Sequence, residues 1–269
     1  MRKYAIVMLS AILIFLFLNY IFVYEVNNIQ VEKIEIENDK LPSELRNKTI
    51  VFLTDIHSTT YTEKMRKVSV IVDEINPDYI LLGGDYVDKD FSSLEGLEYF
   101  IGELKKPNRK VFAVLGNHEH WYSTPERITV MFARNNVILL NNEHAELCDN
   151  SSCFTIIGVD DPYTGYDDLN KAMRGVDYSQ YRILLAHSPD VIDKINSHQA
   201  DLILAGHTHG GQVNIPILRS LWIPSKYGEK YTNGMFEING DELYVSRGIG
   251  EAYGIRFLCP PEITIIKFI

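Results

Sequence analysis

TIVFLTDIH, residues 49–57, is an apolar run that stops abruptly on an aspartate and a histidine. An uninterrupted apolar run of this length reads as a strand buried on both faces, as in a parallel sheet covered by helices. The pattern recurs twice downstream: YILLGGD (79–85) and KVFAVLGNHEH (110–120) are again apolar strands with polar ends. Between them lie helical segments, residues 61–75, stopped by the Asn76-Pro77 pair, and FSSLEGLEYFIGEL (91–104). A further helix is expected over Pro125–Arg134, with Ser123 or Thr124 as its cap. Upstream, IQVEKIEIEN (29–38) alternates apolar and charged residues, as a half-exposed strand does. Strand–helix alternation of this kind predicts an α/β fold whose first sheet is largely parallel.

The second half is richer in strands. VILLNN, FTIIGVDDP, RILLAHSP and DLILAGHTH are apolar runs, and only short helices fit between them, around 166–174 and 189–196. Three more strands are expected at 230–238, 241–246 and 262–268. The prediction is a two-sheet β-sandwich with helices on both outer faces. Residues 29–269 read as one domain, because no linker or repeat divides them and polar strand ends come from both halves.

The chain has 269 residues, 46% of them hydrophobic, enough for one large core or two small ones. Its formal net charge is -10 and no basic stripe is visible, so nucleic acid is not an expected partner. Residues 1–28 differ from the rest. Arg2 and Lys3 precede an apolar run from Tyr4 to Tyr24, broken only by Ser10 and Asn19. About 20 apolar residues span a bilayer as a helix. A cleaved signal peptide would have a shorter apolar core ending in small residues, whereas this run ends in NYIFVYEVNN. The segment therefore reads as an uncleaved single-pass anchor in the cell membrane, with Tyr20 and Tyr24 at the far interface. The leading positive charges place the N-terminus in the cytoplasm and the remainder outside it.

Cys148 and Cys153 flank the turn-like DNSS. Two readings stand: reduced thiols in a hairpin, or a short cross-hairpin disulfide of the kind permitted outside the cytoplasm. Cys259 reads as a small packed hydrophobe.

The strand ends carry the chemistry. They offer Asp55 and His57; Asp85; Asn117, His118 and His120; His187; and His207 with His209. Ligands in α/β sheets gather at the carboxyl ends of strands, so five such ends converge on one crevice. In GHTHGG (206–211), imidazoles two residues apart on extended backbone point the same way, and the glycines permit tight turns and close approach. Singly, an Asp after a strand is a turn or cap, a lone buried His is a hydrogen-bonded core residue, and Asn117 is a turn residue. Jointly, caps and turns have no reason to select D-x-H, GD, GNH, H and GHxH in that order, whereas a metal site does. His120 takes no ligand role in this reading. His144 and His198 fall outside the pattern and read as surface residues.

The series TDIH, GGD, GNHE, AHSP and GHTHGGQ resembles the calcineurin-like metallophosphoesterases, over about Thr49 to Ile269. SRGIG (246–250), Arg256 and PPEI (260–263) resemble its membrane-associated bacterial branch, which includes proteins similar to the UDP-2,3-diacylglucosamine pyrophosphatases of lipid A synthesis. The resemblance implies a β-sandwich flanked by helices and two divalent metal ions. Asp55, His57 and His209 would bind one ion, Asn117, His187 and His207 the other, and Asp85 would bridge them. Oxygen and imidazole donors suit Mn²⁺ first, with Fe or Zn²⁺ as alternatives. His118 resembles the family's catalytic histidine, placed to stabilise charge or protonate the leaving oxygen. The reaction implied is attack of a metal-activated hydroxide on a phosphodiester or phosphomonoester, an envelope or lipid-linked one given the bilayer anchor. Two alternatives stand beside it: a UDP-2,3-diacylglucosamine pyrophosphatase, which needs its catalytic part in the cytoplasm, and a catalytically silent scaffold, which lost ligands would mark. The departures, DIHS for DLHLG-like forms and GNHE for GNHD, remove no ligand. The loop 212–235, with Trp222, Tyr227 and Tyr231, either shapes substrate choice or is an ordinary amphipathic loop.

Overall fold

The computed structural model describes residues 2–58, 60–89, 92–122, 124–149, 152–215, 219–220 and 223–269. The apolar N-terminal run is a helix, Arg2–Asn19, that continues through a π turn (Tyr20–Tyr24) and a 3-10 turn (Glu25–Asn27). Among the described residues it is the one helix long and apolar enough to cross a membrane. Residues 2–19 bury no side chain. The end of the run, in contrast, docks on the body of the protein. The Arg256 N–H donates to the Ile21 carbonyl at 3.1 Å, and the Cys259 N–H to Glu25 Oε1 at 2.9 Å. The Phe257 ring meets Phe17 and Tyr20 edge-on, at 5.6 and 6.1 Å between centroids.

The strands are β1 Gln30–Ile36, β2 Thr49–Leu53, β3 Tyr79–Leu82, β4 Lys110–Ala113, β5 Ile138–Leu139, β6 Glu143–Asp149 and β7 Ser152–Gly158. There follow β8 Tyr181–Leu185, β9 Leu202–Ala205, β10 Asn214–Ile215, β11 Arg219–Ser220, β12 Gly234–Ile238, β13 Asp241–Val245 and β14 Glu262–Phe268. The first sheet has the order β1-β14-β2-β3-β4-β5, and the second β12-β13-β9-β8-β7-β6. In the first, the β14–β2 pairing is antiparallel and the others are parallel, as the continuous apolar runs predict. In the second, the inner pairs are parallel and the outer two antiparallel.

Apolar side chains fill the space between the sheets: Ile50, Phe52, Leu81 and Phe112 from the first meet Phe154, Ile156, Ile183 and Leu204 from the second. Helices cover the outer faces. The helix Glu63–Ile75 is capped by the Thr62 hydroxyl, which accepts from the Met65 N–H. It buries Met65, Val68 and Val72 at helical spacing, and stops at Asn76, whose left-handed backbone (φ 50°) ends the ladder before Pro77. This is the expected two-sheet α/β sandwich.

The boundaries depart from expectation where local contacts win. The strand expected over 110–120 ends at Ala113, and Asn117–Trp121 is helical, because Glu119 Oε2 accepts from the Gly116 N–H (2.8 Å) and closes a turn there. The helix expected over 91–104 runs Glu95–Leu104; Phe91 lies outside the described residues. Pro125–Arg134 is helical as expected. Thr124 holds the cap position, but its hydroxyl donates backwards to the Glu119 carbonyl, and Ser123 lies outside the described residues. The strand expected from residue 230 begins at Gly234, after a 3-10 turn at Gly228–Tyr231. Cys148 and Cys153 are opposed in the β6–β7 register, 4.1 Å apart at Cα, and are joined as a disulfide.

Candidate metal centre

The carboxyl ends of β2, β3, β8 and β9, with the turn after β4, face one crevice between the sheets. The turns after β2 and β3 are laced together, since the Asp55 N–H donates to the Gly84 carbonyl and the His57 N–H to the Asp85 carbonyl. Asp55, His57, Asp85, His207 and His209 all have left-handed backbone, with φ of 54°, 45°, 53°, 70° and 50°. That conformation costs a non-glycine residue on the order of 1 kcal/mol, and its concentration here marks a site that the surrounding fold holds in place. Gly206 provides the close approach that the sequence suggests, and Gly116 provides another. A Cβ on Gly206 would lie 2.3 Å from Asp55 Oδ2, and one on Gly116 would lie 2.3 Å from Asp85 Oδ1.

The structure brings all eight expected residues together as two adjoining clusters. In one, His57 Nε2 and His209 Nε2 face each other at 3.1 Å, and His209 Nε2 lies 3.6 Å from Asp55 Oδ1. In the other, His187 Nε2 is 3.1 Å from both Asn117 Oδ1 and His207 Nδ1. Asp85 Oδ2 sits between them, 3.5 Å from His57 Nε2 and 3.2 Å from His187 Nε2. The carboxylates accept from neighbouring groups: the His207 N–H donates to both Asp55 oxygens at 3.1 Å, the Thr54 hydroxyl to Asp55 Oδ2 at 2.9 Å, and the His118 N–H to Asp85 Oδ1 at 2.9 Å. The His187 Nδ1–H donates to the Gly83 carbonyl at 2.8 Å, which turns Nε2 toward the crevice.

His118 stands at the rim. Its Nδ1–H donates to the Val87 carbonyl (3.2 Å), with Asp88 Oδ1 at 3.8 Å on the same side, and Nε2 looks inward, 3.9 Å from Asp85 Oδ2. His120 lies apart from the ligand atoms. It donates to Asp160 Oδ1 at 2.7 Å and stacks flat on Tyr166 at 4.0 Å. His198 is exposed as expected, whereas His144 is half-buried, its Nδ1–H bonded to the Ala172 carbonyl.

Two residues that sequence reasoning did not single out, and one that it marked only through the resemblance, support the site. Glu119 is fully buried and gathers four N–H groups, from Asp85 and Gly116 on Oε2 and from Tyr86 and Val87 on Oε1. It thereby ties the turn after β3 to the turn after β4; its only signal in sequence is its place in GNHE. Tyr163 leans on His207 at 4.5 Å from a loop that the sequence marks only by its polar residues. Arg256 is wholly enclosed behind Asp55.

Burial, opposed by the Asp85 carboxylate, brings His57 down to about 4. Burial brings His207 down to about 3 and holds His209 well below its usual range. These three imidazoles are neutral at pH 7 and have lone pairs to give. Burial disfavours charge on His187 and Asp85 too, yet their mutual attraction holds His187 well above and Asp85 well below their ordinary values. Burial pushes Asp55 up to about 6, and the Asp85 charge adds to the rise. Burial and Asp85 likewise push Glu119 up to about 8, against the pull of its N–H donors.

A cavity of about 430 Å³ opens on the cluster. His57, Asp85 and His209 form its floor, and Val213, Pro224, Ala252, Tyr253 and Ile255 an apolar wall. From the loop 212–235, Gln212, Val213 and Pro224 reach it, while Tyr231 is buried in the core; Trp222 lies outside the described residues.

Comparison with known proteins bears on this arrangement. The family model described as calcineurin-like phosphoesterase matches residues 48–211. The uncharacterized metallophosphoesterase YkuE of Bacillus subtilis is 31% identical over 80% of this chain and 77% of its own length. Phosphodiesterase YaeI of Escherichia coli is 30% identical over 82% of each. A Danio rerio transmembrane protein with a metallophosphoesterase domain is 30% identical over 88% of this chain, which spans 56% of that protein. Among solved structures, TT1561 of Thermus thermophilus shares the fold, with a TM-score of 0.51 at 13% identity over 76% of this chain and 91% of that one. The chain belongs to the calcineurin-like phosphoesterases, metal-dependent hydrolases of phosphoric esters.

Proposed function

We propose that the crevice holds two divalent metal ions and hydrolyses a phosphodiester or phosphomonoester at the membrane. The observation that carries the reading is the place of Asp85 Oδ2, within 3.5 Å of a donor atom in each cluster. Asp55, His57 and His209 would hold one ion, Asn117, His187 and His207 the other, with Asp85 shared. The donors fit such ions. Bonds of about 2.1 Å give coordination polyhedra with edges of roughly 3.0–3.4 Å; most donor separations, 3.1–3.6 Å, lie near that range, and His57 Nε2 to Asp55 Oδ1 is longer at 4.0 Å. Oxygen and imidazole donors without thiolate suit Mn²⁺, with Fe or Zn²⁺ next. Two cations would also offset the proximity of Asp55 and Asp85. Bound ions of this class supply Lewis acidity and a hydroxide nucleophile at neutral pH.

The chain's own residues do the rest. The Val87 carbonyl holds the Nδ1 proton of His118, so Nε2 is the nitrogen that faces the crevice; the imidazolium form hands its Nε2 proton to the departing oxygen and is left as the Nδ1–H neutral tautomer. Gly83 fixes the His187 tautomer in the same way. Glu119 holds Asp85 by its backbone and so sets the spacing between the clusters. Residues 1–28 act as the anchor and 29–269 as the catalytic domain. The leading Arg2 and Lys3 and the Cys148–Cys153 pairing support a domain outside the cytoplasm, which favours an envelope ester over a UDP-linked lipid A precursor.

The test is Asp85→Asn, assayed with bis-p-nitrophenyl phosphate and added Mn²⁺ and by elemental analysis. Activity and both ions should be lost together. Two tightly held ions per chain in that variant would remove Asp85 from the bridging position.

A further inference from the structure

The cavity beside the candidate centre is walled on one side by Val213, Pro224, Ala252, Tyr253 and Ile255, none of which offers a charge to a phosphate. Ala252, Tyr253 and Ile255 place the segment 252–258 at its edge. There Tyr253 is 86% and Leu258 49% exposed, and both have left-handed backbone, with φ of 59° and 50°. Apolar side chains held outward at that conformational cost call for a partner phase.

The same segment carries the end of the anchor. Phe257 packs on Phe17 and Tyr20, and the Arg256 and Cys259 N–H groups bond to Ile21 and Glu25. This sets its depth. A helix rises about 1.5 Å per residue, so one entering at Arg2 crosses a hydrocarbon core of about 30 Å near residue 22. Phe17 and Tyr20 lie at or below that level, and Phe257, in contact with both rings, is brought to the same depth. In a bilayer crossed by that helix, Tyr253 and Leu258, four residues before and one after it in the chain, would face the headgroup boundary, where an exposed tyrosine ring is favoured.

We propose that the cavity opens at the bilayer surface through the rim 252–258 and takes the acyl portion of a phosphate-bearing lipid from the adjoining leaflet. The phosphate then rests over the His57 and Asp85 floor. A cavity of about 430 Å³ accommodates a headgroup and the upper part of a chain, and the remainder of the chain stays in the membrane. This inference rests on the proposed hydrolase reading for the location of the phosphate. The continuity of rim and anchor supports the lipid itself.

Photolabelling tests it. The full chain is reconstituted in phosphatidylglycerol vesicles doped with a phosphatidic acid that carries a diazirine on one acyl chain. After irradiation, adducts are mapped by mass spectrometry. Adducts are expected within 252–258 and at Val213 or Pro224, as well as along 4–24; adducts confined to 4–24 overturn the proposal. Ile255→Trp fills the cavity and should lower labelling at Val213 about fivefold or more, with anchor labelling unchanged as the control for folding. Undiminished labelling at Val213 would show that the chain enters elsewhere. The same vesicles are assayed on bis-p-nitrophenyl phosphate with Mn²⁺. Hydrolysis without cavity labelling sinks the lipid inference alone, and cavity labelling without hydrolysis sinks the hydrolase reading alone.

Discussion

Replacing Arg256 by methionine removes a guanidinium that is fully enclosed. Its Nη1 donates to the Cys259 carbonyl at 3.0 Å, and its Nη2 to the carbonyls of Arg247, Gly248 and Gly250. Those carbonyls shape the turn 247–250, whose own N–H groups reach the other way: Ile249 donates to the Thr54 carbonyl and Gly250 to that of Asp55. The guanidinium thus holds the turn, and the turn holds Asp55. Hydrogen bonds to a charged group contribute about 1.5–3 kcal/mol each. They do not add simply, and the variant also escapes the cost of burying a charge. Breaking a buried charged network by deleting one partner costs about 3–5 kcal/mol, and we expect Arg256→Met in that range. At about 2–4 °C per kcal/mol for a chain of this size, the melting midpoint should fall by roughly 6–20 °C. The assay is thermal unfolding of the full chain in detergent at one scan rate, with Arg256→Lys expected between variant and parent because one ammonium cannot reach four carbonyls. Displacing Asp55 by even 1 Å should lower turnover about 100-fold. A midpoint within about 2 °C of the parent together with unchanged turnover would refute the reasoning, since the turn would then hold Asp55 unaided.

His118→Ala should keep metal content near that of the parent while lowering kcat about 10²–10⁴-fold, less for good leaving groups; loss of metal would move His118 into the ligand set. His120 is raised above its ordinary value because the Asp160 carboxylate outweighs burial. Its contribution to stability is therefore complete below about pH 6.5 and fades as pH rises through the raised value. The melting advantage of the parent over His120→Gln should shrink across that window, and an advantage that grows with pH would reverse the assignment. Alkylation of membrane-purified protein before reduction should leave Cys148 and Cys153 unmodified. Full alkylation of both, with the domain protected from protease added to intact cells, would place it in the cytoplasm and bring the lipid A pyrophosphatase reading forward.

The strands and the grouping of the eight candidate site residues were legible because both are local patterns. A buried parallel strand announces itself by its apolar run, and the candidate ligands sit where those runs stop. The supports were not legible, because they join stretches far apart in the chain. Glu119 looks like any acidic residue in a first helical turn, and its four N–H donors come from two separate turns. Arg256 is marked in the sequence only by the resemblance, and nothing local announces the four carbonyls that enclose it. The strand reading of 114–120 failed for the same reason, since the break at Gly116 depends on where the Glu119 carboxylate lies. The docking of the anchor through Phe17 and Phe257 pairs segments at opposite ends of the sequence.

β14 lies between β1 and β2, with Glu262 opposite Gln30 and Thr264 opposite Phe52. The first sheet is therefore incomplete until residues made about two hundred positions later arrive. Closing so long a loop adds little equilibrium cost, about 0.6 kcal/mol per doubling of length, but it delays pairing. At about 5–20 residues per second, synthesis alone imposes a wait of roughly 10–40 s between β2 and β14. Through that interval β2 is an edge strand with one flank open, joined to the apolar N-terminal helix. The turn 247–250 that steadies Asp55 is made in the same late stretch. Completion of the metal-binding geometry thus falls among the last events of folding, and the nascent chain passes through a long window in which aggregation and chaperone capture compete with it.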